Sequence, residues 1–187
     1  MSEKRNSKFI PISWNYDRLN VYQKSECIYD VTYHFANRFL SKGDRTIDQM
    51  IQAARSGKQN IAEGIEASCT SRESGIKLVN VARASLQELL IDYKDYLRVR
   101  NLEQWPIDSD KGKRCRRACA AHNDSAYYRA AIVERNDTAV ANIAITLIFQ
   151  CDCMLRGLIE RLKKDFLEKG GIREEMTRTR LKVRGKI

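Results

Sequence analysis

A chain of 187 residues with two prolines and nine glycines, rich in good helix formers and without a train of alternating strand segments, suits one packed domain of the all-α class. Its net charge of +10 is local: Lys111, Lys113, Arg114, Arg116 and Arg117 form one acid-free run, Arg178, Arg180, Lys182, Arg184 and Lys186 another, and these cations account for the whole excess. The longest strongly apolar stretch, Ala139 to Phe149, is too short for a bilayer and is interrupted by Asn142; no membrane role is expected, and without a secretory pattern the six cysteines should be reduced, in a cytoplasm.

In chain order, residues 1–16 read as an N-terminal arm. The first helix is predicted from about Asp17 to Leu40, with Leu19, Tyr22, Ile28, Val31, Phe35 and Phe39 on its apolar face and Ser41 to Gly43 as the stop. Asp44 or Thr46 begins the second helix, which ends near Gly64 to Ser68. Its core face is Ile47, Met50, Ile51, Ala54, Ile61, Ala62 and Ile65. Ala53, Ser56 and Gly57 offer places where a neighbouring backbone can come close, the reason expected for a glycine in mid-helix. Gln49, Gln52, Ser56, Asn60 and Glu63 form a second, polar stripe suited to water or to a polar seam.

Thr70 and Glu73 read as a capping box for the third helix. Leu78, Ala82, Leu86, Leu89, Tyr93 and Leu97 give its face, and it should fray near Arg100. Trp105 to Asp110 is a break. An insertion at about 101–136 then holds two short accessory helices, Lys111 to His122 and Ser125 to Val133. Asn136 or Asp137 caps the last long helix, whose expected face is Val140, Ala144, Leu147, Cys151, Met154, Leu158, Leu162 and Phe166, stopped by Gly170 and Gly171. The short connections predict an antiparallel up-and-down four-helix bundle over 17–169, followed by a basic tail at 170–187.

Chemistry-bearing residues are sparse. Cys115, Cys119 and His122 stand at i, i+4 and i+7, so on a helix they share a face and offer zinc three ligands; Cys151, Cys153, His34 or Asp124 would have to supply the fourth. The alternative is that they simply pack, and no metal or other cofactor is assigned. Arg114, Arg116 and Arg117 would favour a reactive thiolate nearby. Neither His34 nor His122 belongs to a nucleophile motif, Glu63 has no evident cleft, and no phosphate loop is present, so a non-enzymatic protein is expected. The basic runs point to nucleic acid. In the tail the cations occupy every second position, so an extended strand would present all five to a phosphate backbone, with Tyr127, Tyr128 or Trp105 available to stack on bases. Mobile, solvated charge or pairing with acidic surfaces of adjacent subunits is the other reading.

Leu19 with Tyr22, Gln23 and Lys24, the block containing Gln49, Ala54, Arg55, Ser56, Asn60, Ile61, Glu63 and Gly64, and the segment Ala82 to Leu89 carry a resemblance. In order and spacing they resemble the four-helix-bundle proteins of intervening sequences in bacterial 23S ribosomal RNA genes, relatives of the accessory proteins of diversity-generating retroelements. The insertion and tail resemble a longer subgroup of that family. The resemblance implies a bacterial bundle protein that forms a homo-oligomer, preferably a pentamer. As partners it implies RNA or DNA, or alternatively a reverse transcriptase or another protein.

Overall fold

The computed structural model describes residues 15–184; most of the expected N-terminal arm, and Lys186 of the tail, lie outside the described residues. Among these residues there are seven helices and no strand: α1 (Asn20–Phe39), α2 (Arg45–Ser68), α3 (Arg72–Val99), α4 (Asp110–Ala121), α5 (Ser125–Ala131), α6 (Asp137–Lys169) and α7 (Ile172–Val183). The chain is therefore all-α. Asp17 does not begin α1, because Tyr16–Arg18 form a 3-10 turn and Leu19 is extended. Local chemistry sets most of the other boundaries. The Asp44 carboxylate accepts from the Thr46 N–H at 2.9 Å, and Asn136 accepts from the Ala139 N–H at 2.9 Å, each satisfying a free amide of a helix start.

The cap of α3 is displaced by one residue from the expected capping box. Thr70 still belongs to the turn closing α2, its N–H and hydroxyl both donating to the Ala67 carbonyl, so Ser71 becomes the N-cap and accepts from the Ser74 N–H at 3.2 Å. Glu73, freed from capping, pairs with Lys77. At the same end of the molecule, where its carbonyl accepts from Arg72 at 2.8 Å, Gly170 has φ +74°, a conformation natural to glycine, and a side chain there would also collide with Glu174. The Glu174 carboxylate accepts from the Gly171 N–H at 3.1 Å and starts α7.

The long helices pack in a cycle: α2 lies against α1 and α3, and α6 lies against α1 and α3. Phe35 joins two of them at the centre, its ring centroid 4.9 Å from Tyr93 and 4.8 Å from Tyr96. The Tyr93 hydroxyl donates to Thr32 Oγ1 at 3.0 Å, which satisfies it in the core. Between α2 and α3 the expected close approach is realised. A Cβ added to Gly57 would lie 2.7 Å from Leu86 Cδ2, one on Gly64 2.9 Å from Val79 Cγ2, and one on Gly75 2.8 Å from the Gly64 carbonyl oxygen. Side chains thus rest on backbone along the whole seam.

Ala54, Ile61, Leu86, Leu89, Leu147 and Leu162 are buried as expected. The predicted stripe of α6 slips, however. Val140, Ala144, Leu147 and Cys151 lie in the core, but the buried residues then continue at Leu155 and Ile159, leaving Met154 and Leu158 at the margin and Phe166 exposed. Over a helix of 33 residues the 3.6-residue period drifts away from a fixed seven-residue count, which moves the contact line by one position. By length and composition alone α6 could cross a membrane, but 56% of its most apolar window is buried inside the protein, the arrangement of a core helix.

Candidate nucleic-acid interface

Polar side chains of α1 and α6 seat the segment between α3 and α6, among them Gln150, which donates to the Arg116 carbonyl at 3.0 Å. Asn142, buried in α6, accepts from the Trp105 N–H at 2.7 Å and donates to the Glu103 and Thr138 carbonyls at 2.9 and 2.8 Å, which ties the loop before α4 to the core. Lys24 of α1 is wholly buried, and its ammonium donates to the carbonyls of Cys119 and, at 3.1 Å, His122. These carbonyls stand at the C-terminus of α4, where the helix dipole favours a cation, and the His122 carbonyl also accepts from the Tyr128 hydroxyl at 3.1 Å. Burial nevertheless pushes the Lys24 pKa down. On the far side, Asp30 of α1 accepts from the Ser125 hydroxyl and from Arg129 at 2.8 Å, fixing α5.

This seating turns the cations of α4 outward. Gly112, Cys115 and Cys119 form the buried face, and Lys113, Arg114 and Arg117 lie on the opposite one, with Lys111 and Arg116 as flanks; all five cations are exposed. Lys111 pairs with Glu103 at 3.2 Å. Among the described residues Lys113, Arg114, Arg116 and Arg117 have no ion-pair partner, so four positive charges face solvent together. Trp105 is half-buried beside them, Tyr128 is buried, and Tyr127 is exposed but stacked on the His122 ring at 3.7 Å. Of the three aromatic side chains proposed for base stacking, Tyr128 is therefore not available.

The tail does not take the extended form its alternating charges suggested. Arg178, Arg180 and Lys182 lie on α7 and Arg184 caps it, so the cations divide between two faces, Arg178 with Lys182 and Arg180 with Arg184. All four are exposed, and no described side chain of α7 is buried. The physical reason is local: Glu174 satisfies the first amide of the helix, and helical spacing then places Met176, Thr179 and Val183 along one side.

The signature residues sort by face. Ala54, Ile61 and Gly64 are buried, Gly64 in the α2–α3 seam, whereas Gln49, Arg55 and Glu63 are exposed. Ser56 and Asn60 lie at the edge: Ser56 and Ser85 share a hydrogen bond of 2.9 Å across the seam, and Asn60 donates to the Ser56 carbonyl at 2.9 Å and its hydroxyl at 3.2 Å. The polar stripe thus borders a shallow acidic groove with Asp48, Glu88 and Asp92.

The three zinc ligands considered at i, i+4 and i+7 are not brought together. Cys115 and Cys119 come together with sulfurs 3.9 Å apart, but His122 terminates α4 and stacks on Tyr127 instead. No group of three or more His, Cys, Asp or Glu side chains suited to a metal ion occurs among the described residues. Lys24 and Asn142, which position the basic helix, were noted in the sequence only for a resemblance and as an interruption. A lysine and an asparagine inside otherwise apolar helical faces were the available signals. In comparisons with known proteins, no family model, no curated protein and no solved structure matches this chain.

Proposed function

We propose that the protein is a non-enzymatic, oligomeric nucleic-acid-binding scaffold that engages the phosphate backbone of RNA or DNA. The observation carrying this reading is the outward cluster of Lys113, Arg114, Arg116 and Arg117, unpaired and held on a helix whose other face is locked into the core. Fixed cations meet phosphates without first losing the freedom of a mobile segment. The reading includes an antiparallel four-helix bundle of α1, α2, α3 and α6, supported by their cyclic packing and by the short connections 40–44 and 69–71. It also includes membership of the 23S ribosomal RNA intervening-sequence protein family, supported by the residues quoted above. Closed homo-oligomerisation, with a pentamer preferred, would repeat the basic helix around an assembly and raise avidity.

The test compares the full chain with variants carrying glutamine at Lys113, Arg114, Arg116 and Arg117, or at Arg178, Arg180, Lys182 and Arg184. Each is titrated on unrelated single-stranded RNA and DNA over a range of salt, with the oligomeric state measured in parallel by light scattering. If all four α4 cations engage, their loss lowers the slope of log affinity against log salt by about 3, from ~0.7 per phosphate. Unchanged affinity and slope in that variant would reject the α4 interface. A second reading, a protein-interaction module, is favoured by the apolar groove of about 760 Å³ lined by Trp105, Ile107, Phe149 and Met154. It predicts a partner retained by both glutamine variants and no nucleic-acid binding at low salt.

A further inference from the structure

Beneath the basic face, a cavity of about 310 Å³ is lined by Cys115 and Cys119 together with Lys111, Arg114, Arg135, Trp105 and other side chains of α4, α5 and α6. The two sulfurs are 3.9 Å apart, and Cys115 Sγ also lies 3.4 Å from Thr146 Oγ1. No other two thiols are in contact among the described residues. Both cysteines are 8% exposed or less, so the cavity is their route to a small reagent, while bulky ones are kept out.

The charge distribution separates the roles of the two thiols. The hydrogen bond from Cys119, helped by the charge of Arg135, outweighs burial and draws the Cys115 pKa down to about 7. Cys119 is pushed up, first by its bond to Cys115 and then by burial. The contact between the sulfurs thus favours ionisation of Cys115 over Cys119. Cys27 and Cys151, buried without such a partner, are pushed up to about 12. The thiolate is the reactive form of cysteine.

We propose that Cys115 and Cys119 form an oxidation site for small hydroperoxides, with Cys115 as the attacking thiolate and Cys119 as the resolving thiol. In the first step Cys115 sulfur attacks the terminal peroxide oxygen; the S–O bond forms, the O–O bond breaks, and hydroxide or alkoxide leaves beside Lys111, Arg114 and Arg135. In the second, Cys119 sulfur attacks the resulting sulfenic acid. The S–S bond forms, the S–O bond breaks, and the departing hydroxide takes the Cys119 proton as water. Two thiols are oxidised to one disulfide, and the hydroperoxide is reduced to water and water or alcohol. Residues four apart on a helix have Cα atoms about 6 Å apart, inside the disulfide range, but their Cβ atoms at about 5–6 Å must draw closer. Closure therefore tightens the last full turn of α4, the turn whose Cys119 carbonyl receives the Lys24 ammonium. Oxidation is thus coupled to the seat of the basic helix, whether or not that helix binds nucleic acid.

The experiment treats the reduced full chain with limiting hydrogen peroxide, quenches with iodoacetamide at successive times, and reads each cysteine by peptide mass spectrometry. The expected result is a Cys115–Cys119 disulfide forming several-fold faster than oxidation of Cys69 or Cys153, because among the described residues this pair places an attacking and a resolving thiol side by side. Cys119→Ser should stop at a Cys115 sulfenic acid trapped by dimedone, and Cys115→Ser should leave Cys119 reduced. Oxidation of exposed Cys153 ahead of the pair in the unsubstituted protein overturns the proposal, and so does a folded Cys119→Ser protein that yields no adduct at Cys115. The unsubstituted time course decides the first point even if a variant fails to fold.

Discussion

Along the α2–α3 seam, Gly57, Gly64 and Gly75 let the side chains of one helix rest on the backbone of the other, whereas the α4–α5 segment is seated by a buried ammonium, a carboxylate and an amide. The seam depends on shape, so it is harmed by added atoms. The insertion depends on a few directional bonds between residues far apart in sequence, so it is harmed by their removal. Structural rigidity is thus supplied by non-directional packing in one region and by polar satisfaction in the other, and the cations of α4 inherit their orientation from the second.

The largest effects are expected where apolar volume leaves the core. Leu89→Ala and Leu155→Ala should each lose about 2–5 kcal/mol, seen as a lower denaturation midpoint with unchanged slope. Half-buried Leu158→Ala should lose clearly less than Leu155→Ala, and equal losses would refute the slipped contact line of α6. Next, Gly75→Ala should destabilise by about 1–3 kcal/mol, because the new methyl meets the Gly64 carbonyl and the Ser68 Cβ. Gly157→Ala is the contrasting case: its added Cβ meets nothing within 4 Å, so helix propensity should stabilise by up to ~1 kcal/mol. A neutral result at Gly75 would remove the close-packing account of the seam.

For the insertion, Lys24→Met keeps much of the volume but leaves the Cys119 carbonyl without its donor and the His122 carbonyl with the Tyr128 hydroxyl alone. It should raise hydrogen exchange in α4 by the equivalent of about 1–3 kcal/mol while leaving α2 and α3 protected. A pH test sharpens this. The Lys24 pKa is lowered on folding, so between its folded value and the ordinary 10.5 the unfolded chain binds more protons. Stability should therefore rise with pH through that window relative to Lys24→Met; a parallel pair of stability curves would exclude a buried, depressed lysine. The smallest effect belongs to the seam's polar edge, where Ser85→Ala, losing the bond to Ser56, should cost about 0.5–1.5 kcal/mol in chemical denaturation.

Much of the helical order was legible in the sequence because its determinants are local. Asp44, Asn136 and Gly170 mark boundaries by satisfying or releasing backbone groups within a turn of themselves. The apolar periodicity of α2 and α3 likewise located Ala54, Ile61, Leu86 and Leu89 in the core. The cationic residues of α4 were visible as a run, but their common outward direction was not. Alternating charge in the tail suggested an extended arm, but the helix preference of the Arg and Lys side chains and of Leu181, together with the Glu174 cap, prevailed.

What the sequence by itself determined is therefore the class of structure, most helix limits, Gly57 of the tight seam and the location of the excess charge. Only the tertiary structure decided which line of α6 meets the core, that Cys115 and Cys119 face each other without His122, and that Lys24 is a buried anchor. The physical reason is separation along the chain. A cap or an apolar stripe is completed by residues within a few positions, but the Lys24 ammonium finds its acceptor 95 residues away, and Asn142 holds a loop 37 and 39 residues before it. Such polar groups look misplaced in an apolar pattern until folding brings their partners to them.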